Sequence, residues 1–586
     1  MADYDSDTVK APGEDGLSIG KLWRQWTDFA DSKVAEIEEQ RQARHYYHAD
    51  QFTPEEVKEY RRRGQPIVTS NRVQRKIDAV VGLIERMRQD PKAYPRTPNH
   101  EEGADIASAT LRYTFDAARW EEITPMIALN AAINGIGCVE LSLEEGDQGD
   151  PEISLMTVEP DTFFYDPRSF RHDFSDARYM GVAKWVDLEE AQEMFPDKRD
   201  DLENLISNAG ALESWQQQDR ERRWINIDRR QVFIIEHWYR KGAEWRWCFY
   251  VGRHQKLAEG RSFLQDEKGK DICRFVAFSA NVDHDGDRYG FVRNMRPQQD
   301  EINARRSKAL HLLNSRRIIM ETGAVDDVER TRTEWARPDG VIIRNPGREL
   351  TADQTAVQDF NGQLAFLEEA KSEIENFGPN PAVMGQGVEN SSGRAISLLQ
   401  QAGIAELGPF ILAYRNWKLR VYRATWNAIQ QHWTSERWIR VTDDEDIAQF
   451  IQLNGLEIDE YGRPMLLNAL GSLDVDIIID EGPDTVSLMM DTYQMLTQLA
   501  SGGAAIPPDI LIELSPLQSD VKKRILDRMR APQEPDPMQV AAAETQLAKT
   551  QSEAELNQAR AMKEATSADA QAQSNAMQRA MAGAII

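Results

Sequence analysis

Cysteine is scarce in this sequence, and the spacing of the few that occur argues against two kinds of site. The 586 residues include three cysteines, Cys138, Cys248 and Cys273, and none belongs to a CxxC pair. Three cysteines are too few for a disulfide framework, and their spacing is unlike that of a structural zinc site. We therefore expect synthesis in a reducing compartment, with no metal and no cofactor.

The common catalytic motifs are also missing. The chain contains no GxxxxGK[ST] phosphate loop, no GxSxG and no HExxH. Gly135-Ile-Gly137 lacks the third glycine of a dinucleotide-binding fingerprint. The sequence thus predicts a protein that is not an enzyme.

Long apolar runs are absent, and basic residues are outnumbered by acidic ones. No run of about 18 apolar residues occurs, so no transmembrane helix and no membrane partner are expected. The first ten residues are polar, unlike a signal peptide. We therefore expect assembly in a cytoplasm. The formal net charge of −27 argues against a broad basic surface for nucleic acid. It fits either a very soluble protein or one that lets DNA pass without gripping it.

Two acidic clusters could in principle hold a divalent cation. In Asp283-His-Asp-Gly-Asp287 the glycine is the fourth residue and the twelfth is Asn294, so the cluster departs from a calcium loop and favours a polar turn. Asp474, Asp476 and Asp480 surround a predicted strand and could bind Mg²⁺ in a nuclease. A half-buried strand with solvated alternate residues is the favoured interpretation, and the nuclease stays as an alternative.

Hydrophobic periodicity predicts an α+β fold that is mainly helical. Helices are expected within 17–48, 71–88, 103–134, 188–219, 297–316, 362–377, 394–434, 484–530 and 538–586. Strands are expected at 138–143, 153–158, 179–186, 231–239 and 245–251, with more in 436–480. The proline-rich stretch 91–98 is expected to end the helix at 71–88.

The C-terminal tail, residues 538–586, has a composition unlike the rest of the chain. It contains no proline and no aromatic residue, and alanine fills 15 of its 49 positions. Small or apolar residues recur at intervals of seven, at Val540, Leu547, Ala554, Ala561 and Ala568. A lone helix of this kind buries too little surface to be stable, so we expect it to pack beside copies of itself.

Four segments, in order along residues 40–405, together resemble phage portal proteins, in particular the type from short-tailed phages with a C-terminal helical barrel. The segments are Arg44-His-Tyr-Tyr47 with Asp50, Gln51, Asn71 and 77–82; Phe163-Phe-Tyr-Asp-Pro167 with 173–177; Arg296-Pro-Gln-Gln-Asp-Glu-Ile-Asn303 with Ser307; and Ser392-Gly-Arg-Ala-Ile396 with Gln400. Each segment alone is weak, and their order and spacing carry the resemblance.

The resemblance implies a ring of twelve copies at one capsid vertex, which conducts double-stranded DNA during packaging and ejection. It also implies a division of the chain into regions. These are a flexible N-terminus (1–16), wing (17–290), stem helix (291–316), clip (317–361), second stem helix (362–377), tunnel loop (378–393), long helix and wing return (394–483), crown (484–530), linker (531–537) and barrel helix (538–586). The implied partners are further copies, DNA, the major capsid protein, the terminase large subunit and tail adaptor proteins, with scaffolding protein as a further candidate. The implied location is the virion. A non-DNA tail adaptor or scaffold is a second alternative.

A basic run falls on the expected stem helix. Residues 305–317 carry five positive charges and no acid. On a helix, Ile302, Ala309, Leu310 and Leu313 form an apolar stripe with cations to one side. The candidate DNA-channel residues are Arg305, Lys308, Arg316 and Arg317. The same face could instead pair with an acidic neighbouring copy, and the sequence leaves both interpretations open.

Two further sets of candidate residues follow from the resemblance. The tunnel loop is rich in glycine and nearly uncharged, which suits transient contact with sliding DNA; its candidates are Asn380, Gln386, Glu389, Asn390, Ser391, Ser392 and Arg394. Candidates for partner docking on the clip are Arg330, Arg332, Trp335 and Arg337. Trp23, Trp26, Trp224 and Trp335 could hold copies together, although each could equally belong to the core of its own chain.

Overall fold

Helices and sheets alternate along the chain, so the mixed α+β fold that the sequence patterns predict is confirmed. A computed structural model describes residues 16–86, 89–96, 101–146, 149–210, 224–253, 255–314, 318–337, 339–352, 355–377, 406–442, 448–458, 464–473, 475–481 and 537–582. About half of this described chain is helical. The chain divides into two compact units, Met1–Asp484 and Thr485–Ile586.

The described part of the first unit contains twelve α-helices. They are α1 (Ile19–Ser32), α2 (Val34–Tyr47), α3 (Pro54–Arg62), α4 (Val73–Arg86), α5 (Glu101–Ala117), α6 (Trp120–Asn134), α7 (Leu188–Met194), α8 (Arg199–Gly210), α9 (Val292–Asn314), α10 (Val328–Ala336), α11 (Thr355–Asn376) and α12 (Gly408–His432). Local signals set some of their ends. Thr53 and Glu56 form a capping box ahead of α3, in which Pro54 is the first residue.

Strands fill the middle of the first unit and recur near its end. They are β1 (Gln89–Pro95), β2 (Ile136–Glu144), β3 (Glu152–Thr157), β4 (Phe163–Tyr165), β5 (Tyr179–Asp187), β6 (Ile225–Asn226), β7 (Gln231–Lys241), β8 (Glu244–Val251), β9 (Gln255–Arg261), β10 (Phe275–Ser279), β11 (Asn281–Val282), β12 (Arg288–Tyr289), β13 (Ile318–Met320), β14 (Leu350–Ala352), β15 (Arg437–Thr442), β16 (Ala448–Leu453), β17 (Gly455–Ile458), β18 (Pro464–Leu467) and β19 (Val475–Glu481). All of the strand pairs between them are antiparallel.

Two hydrophobic cores hold these elements together. One lies between α1 and the six-stranded sheet, whose order is β4-β5-β7-β8-β9 with β6 added on β7. The other lies among α2, α4, α5, α6, α9, α11 and α12, with the sheets β10-β2-β3 and β1-β19. Strand β2 contributes to both, since Cys138 belongs to the first core while Val139 belongs to the second. The alternation of side chains along β2 thus joins the helical and sheet layers.

Two local features add detail to the predictions. Residues 103–134 are helical, as predicted, and they form two helices because Arg119 adopts a left-handed backbone with φ of 52° between α5 and α6. The helix α4 ends before the proline-rich stretch, as predicted, and part of that stretch lies in β1, which pairs along its whole length with β19, with Pro91 opposite Ile479. Proline lacks a backbone donor, so it is tolerated on such a two-stranded edge.

The second unit contains, in its described part, one long helix. Helix α13 spans Pro537–Ala582 without interruption, as the tail composition predicts. Its described side chains are exposed along its length, including Leu556 and Met562. At about 1.5 Å per residue it is roughly 70 Å long.

Candidate functional site

Helix α9 is held in place by a ladder of hydrogen bonds, in which its side chains accept from the backbone of an extended segment. The chain from residue 65 to 72 runs along α9 without a turn or bend. The backbone N–H groups of Val68, Ser70 and Arg72 donate to three α9 side chains. The acceptors are Ser307 Oγ at 3.0 Å, Asn303 Oδ1 at 2.9 Å and Gln299 Oε1 at 3.0 Å.

The ladder forms because the rise between its acceptors on the helix nearly matches the rise between its donors on the extended chain. Acceptors four residues apart on a helix rise about 6 Å, and alternate residues of an extended chain advance about 6.6 Å. Gln299, Asn303 and Ser307 are at most 2% exposed, so each bond satisfies a group that water does not reach. The ladder therefore fixes both the position and the rotation of α9.

The same network continues into the N-terminal helices. Asn303 Nδ2 donates to Gln51 Oε1 at 2.6 Å, and Gln51 Nε2 donates to Tyr46 O at 2.9 Å. Asn71 Nδ2 donates to Tyr47 O at 2.8 Å and its Oδ1 accepts from Gln51 Nε2 at 3.1 Å. The first and third segments that carry the family resemblance thus meet in one buried polar network.

The candidate cations on α9 differ in how far their charge is already satisfied. Arg305 Nε donates to Glu301 Oε1 at 2.5 Å, and its guanidinium lies 4.5 Å from the Phe366 ring centroid. Its Nη1 also donates to Gln363 Oε1 at 3.3 Å. Lys308, by contrast, is exposed and makes no ion pair within the described part of the chain. Of Arg305 and Lys308, Lys308 is therefore the more available to an external phosphate.

The apolar stripe that the sequence predicts on α9 is narrower in the structure. Ile302 and Ala309 are buried, whereas Leu310 is 38% exposed. The partner helix α11 buries Leu367, Ala370 and Ile374. Because these residues recur at three to four positions, one face of α11 packs inward and the other remains exposed.

The candidate docking residues lie on the short helix α10 and at its end. Asp327 caps the helix by accepting from the Arg330 N–H at 3.0 Å. The side chains of Arg330 and Arg332 are exposed, and that of Arg337 is exposed and pairs with Glu334. Trp335 is half-buried. An exposed row of arginines on a short helix offers a surface to an acidic partner.

Several candidate residues lie outside the described residues. They are Arg316 and Arg317, Asp474, and the tunnel-loop set Asn380, Gln386, Glu389, Asn390, Ser391, Ser392 and Arg394. Helices α11 and α12 flank the tunnel loop on its two sides along the chain.

The expected barrel seam lies on α13. Val540, Leu547, Ala554, Ala561 and Ala568 all fall within this helix. Of these, Ala554, Ala561 and Ala568 are exposed. Within the second unit of one chain the described seam therefore faces solvent.

The first acidic cluster is a hairpin turn, as favoured from the sequence, and protein cations neutralise it. Asp283 Oδ1 accepts from the Asp285 and Asp287 N–H groups at 3.0 and 2.8 Å. Burial opposes ionisation, but Arg293 at 2.9 Å and these N–H groups outweigh it and lower the Asp283 pKa. Lys33 Nζ donates to Asp287 Oδ1 at 2.6 Å.

In the second cluster, Asp476 lies 3.5 Å from Arg423 Nη2. No group of three or more potential metal ligands occurs among the described residues. Asp474 and the Asp480 side chain lie beyond this description, so the nuclease alternative rests on the sequence alone.

A buried ionic centre that the sequence did not suggest joins α2 to the middle of the first unit. Lys33 and Glu36 are 2% and 1% exposed, and Lys33 Nζ lies 3.5 Å from Glu36 Oε2. Tyr165 Oη donates to the same carboxylate at 2.7 Å. Burial raises the pKa of Glu36, although the Tyr165 hydroxyl and the Lys33 charge oppose this shift.

Arg288 completes this centre. Its Nη1 donates to Ser169 O at 2.7 Å, and its guanidinium lies 4.7 Å from the ring centroids of Tyr165 and Phe174. Lys33, Glu36 and Arg288 are buried, and their contacts join α2 to the segments that carry Tyr165 and Ser169. The only sequence signal for it was the Phe163–Asp166 segment of the resemblance.

Three of the four tryptophans proposed for contacts between copies belong to the core of their own chain. Trp23, Trp26 and Trp224 form one cluster, with ring centroids 4.3 to 5.4 Å apart. Trp23 and Trp224 are each at most 9% exposed. The core interpretation therefore holds for these residues.

Membrane insertion finds no support in the part of the chain that the structure describes. None of its helices combines the length and the apolar character that a bilayer-spanning helix needs.

Comparisons with known proteins identify relatives of this chain. The family model for phage P22-like portal proteins matches residues 23–579. The portal protein of Helicobacter pylori bacteriophage KHP30 is 21% identical over 484 residues, which cover 81% of this chain and 75% of the relative. Both similarities extend over most of the chain rather than over one shared segment.

Proposed function

Since the chain belongs to the phage P22-like portal protein family, we propose that twelve copies form a ring that conducts double-stranded DNA. The ring sits at one capsid vertex of the virion, and it serves both packaging and ejection. The observation that carries the proposal is the family match over residues 23–579. Portal proteins are phage head-to-tail connectors and have a structural rather than an enzymatic role, consistent with the missing catalytic motifs.

The regions expected from the resemblance are proposed to correspond to the following elements. The wing (17–290) would comprise both the six-stranded sheet and helices α1 to α8. Helices α9 and α11 would be the two stem helices, and α10 with the β13-β14 sheet would form most of the clip. The barrel helix would be α13. The crown (484–530) and the tunnel loop (378–393) are proposed from the sequence alone.

The channel proposal now centres on Lys308. Repeated around a ring, an exposed lysine on α9 would form a girdle of positive charge in an otherwise acidic assembly. Arg305 is a weaker candidate than the sequence suggests, because Glu301 and Phe366 already engage its guanidinium. A girdle of few cations would contact phosphate without holding the DNA still.

The clip is proposed to dock partners in turn. Exposed Arg330 and Arg332 would meet the terminase large subunit during packaging and tail adaptor proteins afterwards. The wing would contact the major capsid protein, and scaffolding protein would be a further partner during assembly in the host cytoplasm.

Negative-stain electron microscopy of the purified protein tests the ring directly. Class averages with twelvefold symmetry and a central hole are the expected result. A folded protein that stays monomeric or dimeric at assembly concentrations would contradict the portal proposal. A ring whose hole is too narrow for duplex DNA would favour the adaptor or scaffold alternative.

The channel girdle is tested by Lys308→Glu in rings that still form. We expect lower DNA packaging in a reconstituted reaction, since the substitution places a negative ring against phosphate. Lys58→Glu makes the same charge change on exposed α3 and serves as the matched control. Equal packaging by both variants would remove Lys308 from the channel.

A further inference from the structure

A cavity of about 420 Å³ lies between α12, the six-stranded sheet and the loop that joins β9 to β10. Exposed Glu267 and Lys268 are among the residues that line it, so it is open to solvent on one side. Cavities of roughly 300–1,000 Å³ with mainly apolar walls are typical of small-molecule sites. The apolar side chains of this wall are each at most 7% exposed, and they are Phe174, Met180, Trp245, Phe275, Val276 and Ala424.

Arg420, on α12, lines this cavity without a counter-ion among the described residues. Its Nη1 and Nη2 donate to Asp173 O at 3.1 Å and Ala277 O at 2.6 Å, which are neutral backbone oxygens. Its Nε is buried and makes no hydrogen bond within the described chain. Burial lowers the Arg420 pKa, although the Asp173 carboxylate attracts the cation from beyond ion-pair distance. A buried cation in this state is costly, and an anion beside it would relieve the cost.

The three acidic residues that line the cavity are already engaged. Asp173 Oδ1 accepts from a backbone N–H at 3.0 Å, and Asp266 Oδ1 accepts from two more at 2.9 Å each. Glu267 pairs with Arg96 at 2.7 Å. These carboxylates are therefore not the missing partner of Arg420.

The other cations that line the cavity add to the positive charge. Arg423 is paired, since its Nη2 lies 3.5 Å from Asp476 Oδ1. The Arg240 guanidinium lies 4.8 Å from the Trp245 ring centroid and Lys268 is exposed. Neither Arg240 nor Lys268 forms an ion pair in the part of the chain that the structure describes. The charge that remains available in the cavity is thus positive.

We propose that this cavity binds an organic carboxylate, with its apolar body against the wall and its charge towards Arg420. The two Nη atoms of Arg420 each carry a second N–H, and a planar guanidinium matches a planar carboxylate. A phosphate dianion fits less well, because the three carboxylates that line the cavity would repel its larger charge. The site lies within the first unit of one chain, so it does not depend on the proposed ring.

The test is calorimetric titration of the full-length protein with 2-naphthoate, an aromatic carboxylate. We expect saturable binding at one site per chain. Naphthalene-2-carboxamide has nearly the same shape without the charge, and should bind at least tenfold more weakly. No saturable binding of 2-naphthoate, or equal binding of the two compounds, would overturn the proposal.

Two substitutions locate the binding in this cavity. Ala424→Leu fills the cavity and leaves Arg420 in place, whereas Arg420→Met removes the charge; each should weaken 2-naphthoate binding at least tenfold. Arg61→Met, on exposed α3, removes the same charge elsewhere and is the control. Arg420→Met also removes two hydrogen bonds to the backbone, so thermal melting is measured for each variant. Native affinity in folded Ala424→Leu would overturn the proposal even where Arg420→Met does not fold.

A further ligand distinguishes the two sources of such a carboxylate. N-acetylglycylphenylalanine presents the carboxylate of a peptide chain end beside an apolar side chain. Tighter binding of this peptide than of 2-naphthoate would assign the site to the chain end of a partner protein. Weaker binding would assign it to a free organic acid, and both results support a carboxylate site.

Discussion

Several residues that carry the family resemblance act in folding rather than in contact with DNA. Gln299, Asn303 and Ser307 look like a polar helix face in the sequence, yet they are buried acceptors for an extended backbone. Arrays of this kind are specific because each group left without a partner is costly. The network therefore explains why these polar residues lie inside the fold.

Asn303→Ala tests this role. The substitution removes the acceptor of the Ser70 N–H and the donor to Gln51 Oε1, and should lower the free energy of unfolding by about 3 kcal/mol. Ala304→Ser, on the adjacent exposed position, should change it by less than about 0.5 kcal/mol. Hydrogen exchange gives a local readout: the Ser70 amide should lose protection while the Val68 amide keeps it. Retained protection at Ser70 would contradict the ladder.

His237 is predicted to make the chain sensitive to acid. Its ring is fully buried beside Phe164 and Tyr179, and burial lowers its pKa to about 3. The unfolded chain takes up this proton near pH 6.5, so the stabilisation is fully present above that pH and is lost as the pH falls towards 3. Between pH 7 and pH 5 the free energy of unfolding should fall by about 2 kcal/mol through this residue.

Denaturation of His237→Phe at both pH values measures this contribution. Between pH 7 and pH 5, the free energy of unfolding of the variant should fall by about 2 kcal/mol less than that of the native chain. This holds whatever the difference in stability between the two chains at pH 7. His284→Asn, at an exposed histidine, should follow the native chain. If the free energy of unfolding of His237→Phe falls between pH 7 and pH 5 as much as that of the native chain, another group governs the acid response.

The sequence identified the cations of α9 but not their partners. Arg305 was a candidate for contact with DNA or with an acidic neighbouring copy, and the structure shows that Gln363 and Phe366, roughly 60 residues away, engage its guanidinium. Charge runs are visible in a linear sequence, while the side chains that neutralise them are brought in by packing between distant helices. The buried pair of Lys33 and Asp287, more than 250 residues apart, escaped prediction for the same reason.

At the scale of elements, local periodicity predicted most helices and the hairpin of β7 and β8. The hydrophobic pattern of these elements is visible within a short stretch of sequence. The pairing of β1 with β19 could not be predicted, because about 380 residues separate the strands and proline in β1 argues against a strand. What the sequence lacks is the register of long-range pairs, which the tertiary fold sets.

The seam of α13 gives a prediction at this scale. If copies pack along the alanine seam, Ala561→Glu in an assembled ring should place a carboxylate in a close helix contact. We expect the tail to become sensitive to protease and to lose amide protection, while the rest of the ring stays intact. Ala559→Glu adds the same charge to the opposite face and should leave the tail protected. Equal effects of the two substitutions would contradict packing along this seam.

At the scale of the whole molecule, the formal charge of −27 per chain opposes assembly of identical copies. That charge already counts the cations, several of which, such as Arg305, Arg293 and Lys33, pair with acidic residues of their own chain. Contacts between copies must therefore be strong enough to overcome a general repulsion. The exposed apolar residues of the clip and the seam of α13 are the candidates that the fold supplies.

Salt should distinguish this view from the alternative, in which basic α9 pairs with an acidic neighbour. Screening shortens the reach of charge from about 10 Å at 0.1 M to about 3 Å at 1 M ionic strength. If apolar contacts hold the ring, raising sodium chloride from about 0.05 M to about 0.5 M should increase the ring fraction at fixed concentration, as sedimentation would show. Rings that dissociate over this range would indicate that ion pairs between copies dominate. The cations of α9, Lys308 among them, would then be committed to neighbouring copies rather than to DNA.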